Sequence, residues 1–143
     1  MTRTTEPQRQ LATWLLLHEA DERDASAADG ASRAWEKLSA RLARIFTTAG
    51  CDALATRAIY LAQADFPVLV ALGGPSLGLD GLPRALAEKT DQTEAFEAAT
   101  AILGNVIALL ITFIGEDLAL RAIRDVWPGA PVAFEQSGQE ASS

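Results

Sequence analysis

The chain has 143 residues, a formal net charge of −7, a single cysteine and a hydrophobic content of 49% that is rich in Ala and Leu. That length sets one domain able to bury about two thirds of its unfolded surface. The Ala/Leu bias, with no sustained apolar–polar alternation, points to helices and not strands. The acidic balance argues against a nucleic-acid role, and the lone cysteine excludes an internal disulfide and a cysteine-based zinc cluster.

The first helix is predicted from Glu6 to Glu19, with Leu11, Trp14, Leu15 and His18 on one face. Its apolar part, Leu11 to Leu17, is short and has no small-residue cleavage site before the charges begin, so no signal peptide is expected. The charged segment Asp21 to Asp29 reads as a loop or a frayed extension of that helix. Ser32 is the expected cap of a second helix, since its hydroxyl can accept an orphan backbone N–H. Trp35, Leu38, Leu42, Ile45, Phe46 and Ala49 recur there at three- and four-residue spacing, and Gly50 is the expected stop.

Asp52 is the expected cap of the third helix, which buries Leu54, Ala58, Ile59, Leu61 and Ala62. It closes before Pro67, because the residue preceding a proline is pushed out of helical geometry. Val68 to Leu82 reads as a glycine-rich connector whose first residues, Val68 to Leu72, continue as a helical turn. Pro83 is placed at the first position of a short helix ending near Lys89. Asp91 and Glu94 then stand in the spacing of a capping box. They open a long helix whose segment Ala98 to Gly115 carries no charge over 18 residues. Its periodicity continues to Trp127-Pro128, with a break expected, if anywhere, near Gly104 or Gly115. Acidic flanks at Glu94, Glu97, Glu116 and Asp117, with Asn105 and Thr112 inside, favour a buried core or dimer helix over a membrane span.

The expected architecture is therefore an all-α bundle of four to five helices with one long, buried C-terminal helix. Residues 1–131 form the domain, and 132–143 form a polar tail read as disordered except for Phe134. A cytoplasmic location is the simplest fit to these features.

Several constellations carry candidate functions. Thr100, Gly104, Ala108 and Thr112 lie at four-residue intervals and let another backbone approach closely. A helix apolar nearly all round must be covered all round, and part of this one is expected to be covered by a second copy in a two-fold dimer. Otherwise the other helices of the chain suffice.

Asp117, Arg121 and Asp125 share a spacing of four, with Glu116 and Arg124 beside them. They read as a charged ligand or acid/base site that recruits Arg57, or as a solvated face laced with weak ion pairs. Arg33, Lys37, Arg41 and Arg44 form a basic ridge that either docks an acidic protein surface or pairs with nearby acids, Glu36 and the 19–24 cluster.

His18, the single histidine, lacks partners at metal-ligand spacing and reads as structural. The dipeptide His18-Glu19 echoes the phosphoacceptor helix of sensor kinases, but the residues that follow lack that motif's hydrophobic, basic and proline positions. Cys51, beside a helix start, is a candidate for a lowered thiol pKa or for prosthetic-group attachment; otherwise it is an apolar filler. The run Gly73 to Gly81 lacks the Lys-Ser/Thr ending of a phosphate loop and is a turn. No cofactor or metal is implied.

Two segments, AGCDALATRAIYLAQADFP (Ala49 to Pro67) and LITFIGEDLALRAIRDVWP (Leu110 to Pro128), resemble segments of small bacterial all-helical proteins with no established activity. The resemblance implies no chemistry. It singles out Arg57, Gly115, Glu116, Asp117, Arg121 and Trp127 as the residues to mutate first.

Three functional readings follow. The first is a non-enzymatic interaction or regulatory module, homodimeric through the long helix, with a further protein partner. The second is a small-molecule binding or sensor domain, walled by Trp35, Tyr60 or Phe113 and anchored by Arg57 or Glu116. The third is an enzyme using Glu116, Asp117 and Arg121.

Overall fold

A computed structural model describes residues 6–23, 27–71, 73, 81, 84–86 and 91–130. Six helices account for most of them: α1 (Glu6–Arg23), α2 (Ala27–Leu42), α3 (Thr48–Ala62), α4 (Val68–Ala71), α5 (Gln92–Ile114) and α6 (Glu116–Val126). No strand occurs among the described residues. The all-α bundle with a long C-terminal helix is thus the observed architecture.

α5 is the axis. It packs against α1, α2, α3 and α6, while α1 pairs with α2 and α2 with α6. Its residues from Ala98 to Leu110 are almost all buried, which is where the uncharged run goes. Asp91 caps it as the spacing predicts, its side-chain oxygen accepting from the Glu94 N–H at 2.7 Å. The helix passes Gly104 unbroken and ends at Gly115, at φ +90° and ψ 157°. By length and composition α5 could cross a membrane, but 61% of its most apolar stretch is buried inside the protein.

The boundaries of the earlier helices differ from the sequence expectation. α1 runs on past Glu19 to Arg23, and α2 starts at Ala27, so Ser32 lies inside a helix instead of capping one. α2 stops at Leu42, not Ala49, because the Leu42 carbonyl accepts from the N–H groups of both Ile45 (2.8 Å) and Phe46 (2.7 Å), which tightens the chain into a turn. Ile45 and Ala49, assigned to the buried stripe, consequently face solvent.

α3 begins at Thr48, capped by Thr47, whose hydroxyl accepts from Gly50 N–H at 3.0 Å. Gly50 therefore opens α3 and does not close α2, and Asp52 is an interior helical residue. Past α3, Val68–Ala71 is the helical turn expected there. The short helix placed at 83–89 lies mostly outside the described residues, although 84–86 are helical and Leu86 is buried. The tail, with Phe134, also lies outside them.

Close packing of α1 on α2 depends on Gly30. A Cβ there would collide with the Leu16 carbonyl oxygen and press on Ala20. The small residues of the 27–31 segment are a helix-packing face rather than a linker.

Candidate functional site

The most distinctive polar arrangement joins three parts of the chain. Glu19, on α1, is 1% exposed. Its Oε2 accepts from Lys37 Nζ on α2 at 2.9 Å and from Trp127 Nε1, just past α6, at 2.8 Å. Burial pushes this carboxyl up, but the hydrogen bonds from Lys37 and Trp127, with the nearby charges of Lys37 and His18, more than reverse that. The group sits below its ordinary value and stays ionised. Beside it the Trp14 and His18 rings stack, with centroids 4.8 Å apart and planes within 8°. A second bond between α2 and α6 is formed by Arg41, whose Nε and Nη2 donate to Asp125 Oδ2 at 3.0 and 2.6 Å.

The basic ridge is thereby divided. Lys37 and Arg41 are engaged by acids of α1 and α6, Arg44 is exposed, and Arg33 is half-buried with its Nε unpartnered among the described residues. Neither Glu19 nor Trp127 stood out in the sequence as a partner of the other, since 108 residues separate them. The available signal was Trp127 itself, an indole before a helix-ending proline that needs an acceptor once buried.

The second feature is the junction at Gly115. Glu116 and Asp117 follow directly and occupy the first turn of α6, where carboxylates meet the orphan N–H groups and the positive end of the helix dipole. The abrupt passage from apolar core to acid is a helix start. Asp117 and Arg121 are exposed, and Glu116 is half-buried. Arg57 is exposed on α3, with its guanidinium 5.3 Å from the centre of the Tyr60 ring.

Of the small-residue stripe, Thr100, Gly104 and Ala108 are buried by the chain's own helices. Only Thr112 lies at the surface, its hydroxyl donating to the Ala108 carbonyl at 2.9 Å. Thr100 Oγ1 is buried without a hydrogen-bond partner among the described residues. The apolar run outlasts its cover: Phe113 is 59% exposed, and Leu118, across Gly115, is 41% exposed.

Cys51 corrects the expectation of a lowered pKa. The thiol is buried in the first turn of α3, and burial, with the Asp52 carboxylate beside it, pushes it up. That environment makes it an unreactive filler. Among the described residues no group of three or more His, Cys, Asp or Glu side chains could hold a metal ion.

Comparison with protein-family models, curated proteins and solved structures finds no match. The likeness of the 49–67 and 110–128 segments to bacterial helical proteins therefore assigns no family.

Proposed function

We propose that this chain is a non-enzymatic helical interaction module that works as a homodimer, its two copies meeting at the far end of the long helix. The observation that carries the reading is the uncovered end of α5. Thirteen residues from Ala98 to Leu110 run through the interior, after which Thr112 and Phe113 face solvent and Leu118 continues the apolar surface past the break. Large aromatic and aliphatic side chains left together at a helix end favour burial against a partner.

A second copy suits this surface because it is self-complementary. Asp117 and Arg121, one turn apart and both exposed, flank Leu118. Under a two-fold axis, Asp117 of one copy faces Arg121 of the partner subunit. The sequence supports the non-enzymatic part of the reading, with its single histidine and no nucleophile set in a glycine-rich turn.

Light scattering at micromolar concentration should give the mass of a dimer, and the double substitution Phe113→Ser with Leu118→Ser should return it to a monomer. A wild-type monomer, or a dimer indifferent to the double substitution, overturns the reading.

One observation favours a different reading, a small-molecule binding domain: the unpartnered hydroxyl of Thr100, which a ligand polar group would satisfy. Native mass spectrometry of untagged protein would carry a retained ligand mass in that case.

A further inference from the structure

The junction between α5 and α6 is a single residue, and its surroundings show what it costs to bend there. Gly115 sits at φ +90° and ψ 157°, a conformation that side-chain-bearing residues rarely adopt. No heavy atom beyond its chain neighbours lies within 4 Å of the position its Cβ would occupy. Nothing packs against the bend to hold it.

The helical periodicity of the sequence runs through this point without interruption. A straight helix from 92 to 126 is therefore the alternative conformation of the same segment. Straightening would lift α6 off its own chain. It would leave Glu19 without the Trp127 indole, Arg41 without Asp125, and the surface beneath Leu120 and Ile123 bare. The element that restores all of these contacts is α6 of another copy.

We propose that the dimer forms by exchange of α6. In this arrangement Gly115 straightens, and α6 of each chain docks on α1 and α2 of the other. The Glu19–Trp127 and Arg41–Asp125 contacts re-form between chains. The inference rests on the homodimer proposed above and specifies how it is built.

Two features support exchange over simple face-to-face contact. Hinges too short to let the chain relax favour exchange between copies. The exposed apolar residues Phe113 and Leu118 flank the hinge, where an exchanged dimer brings its two straightened helices together and creates its one new interface.

The test uses the full chain with Cys51→Ala, Arg41→Cys and Asp125→Cys. The last two replace a partly exposed surface pair whose loss costs little. A short bismaleimide links the two new thiols, and a denaturing gel reads whether the link lies within or between chains. Covalent dimers are the expected result. A dimer by light scattering that yields only linked monomers overturns exchange and leaves the homodimer standing. A monomer by light scattering that yields only linked monomers overturns both.

Gly115→Ala provides an independent readout, because alanine penalises the bend and favours the straight helix. Each hinge should contribute about tenfold, so the dimer dissociation constant should fall on the order of a hundredfold. Unchanged or weaker self-association overturns the proposal. Inserting a short Gly-Ser segment after Gly115 relaxes the bend instead and should shift the population to monomer; no shift also counts against exchange.

Discussion

Glu19 is almost wholly withdrawn from water, and it remains charged because Lys37 and Trp127 both donate to the same oxygen. The folded state therefore holds this proton less tightly than the unfolded chain does. With the folded pKa lowered, the contribution to stability is complete above the unfolded value and is lost as pH falls through the folded one. Glu19→Gln removes the charge while keeping the shape. It should lower stability at neutral pH by about 1–3 kcal/mol, the range for hydrogen bonds to a charged group. It should also make the fall in stability between about pH 5 and pH 3 shallower than in the wild type. Urea midpoints at the two ends of that range test both statements; an unchanged slope would show that other carboxylates carry the acid sensitivity. In the sequence, Glu19 stands in the charged run His18-Glu19-Ala20-Asp21-Glu22-Arg23, and nothing there marks one acid as buried. Its burial is decided by Trp127, on a different helix end, and only the fold places the two together.

At the scale of helices, the sequence was informative where one strong signal stood alone. Asp91 before Glu94 and an uncharged run located the start of α5 correctly, and Trp127-Pro128 located the end of α6. It misled where signals competed. Thr47, Gly50 and Asp52 fall within six residues and offer two caps and a stop, and either assignment satisfies local rules. The tertiary turn at Ile45 and Phe46 decides for Thr47. Thr47→Ala should therefore cost about 1 kcal/mol, while Asp52→Ala, on an exposed interior turn, should stay within about 0.5 kcal/mol. Thermal melts of the two variants compare them directly, and a larger loss at Asp52 would reverse the assignment. Gly30 and Gly115 show why a glycine is hard to read from sequence alone. The first is needed for the close approach of α2 to α1, and the second for a backbone angle. Both look the same in a list of residues. Glu116 and Asp117 supplied the missing clue at the second, because paired acids after a glycine are what a new helix start favours.

Across the molecule, the last helix is tied to the first two as firmly as it is to its neighbour α5. Ala119, Leu120, Ala122, Ile123 and Trp127 are each less than a tenth exposed. Detaching α6 would expose that face and also the α5 and α2 surfaces beneath it, so the apolar area lost is counted on both sides. Full burial of one large aliphatic side chain is worth about 1.5–3 kcal/mol, and a domain of this size has only about 5–15 kcal/mol of net stability. Loss of α6 therefore removes enough of the core cover that the remaining bundle should not persist by itself. Unfolding should be a single transition that takes the C-terminal element with it. A variant carrying Trp14→Phe and Trp35→Phe leaves Trp127 as the sole fluorophore and makes this directly readable. Its fluorescence in urea should report the same midpoint and slope as the helical signal in far-ultraviolet circular dichroism. If Trp127 became exposed at a lower urea concentration than the helices melt, α6 would be a separately released arm, and its cover of α2 and α5 would be expendable. Coincident curves would instead mean that α6 leaves its seat only when the bundle opens, so that exchange of α6 between copies is as slow as unfolding itself.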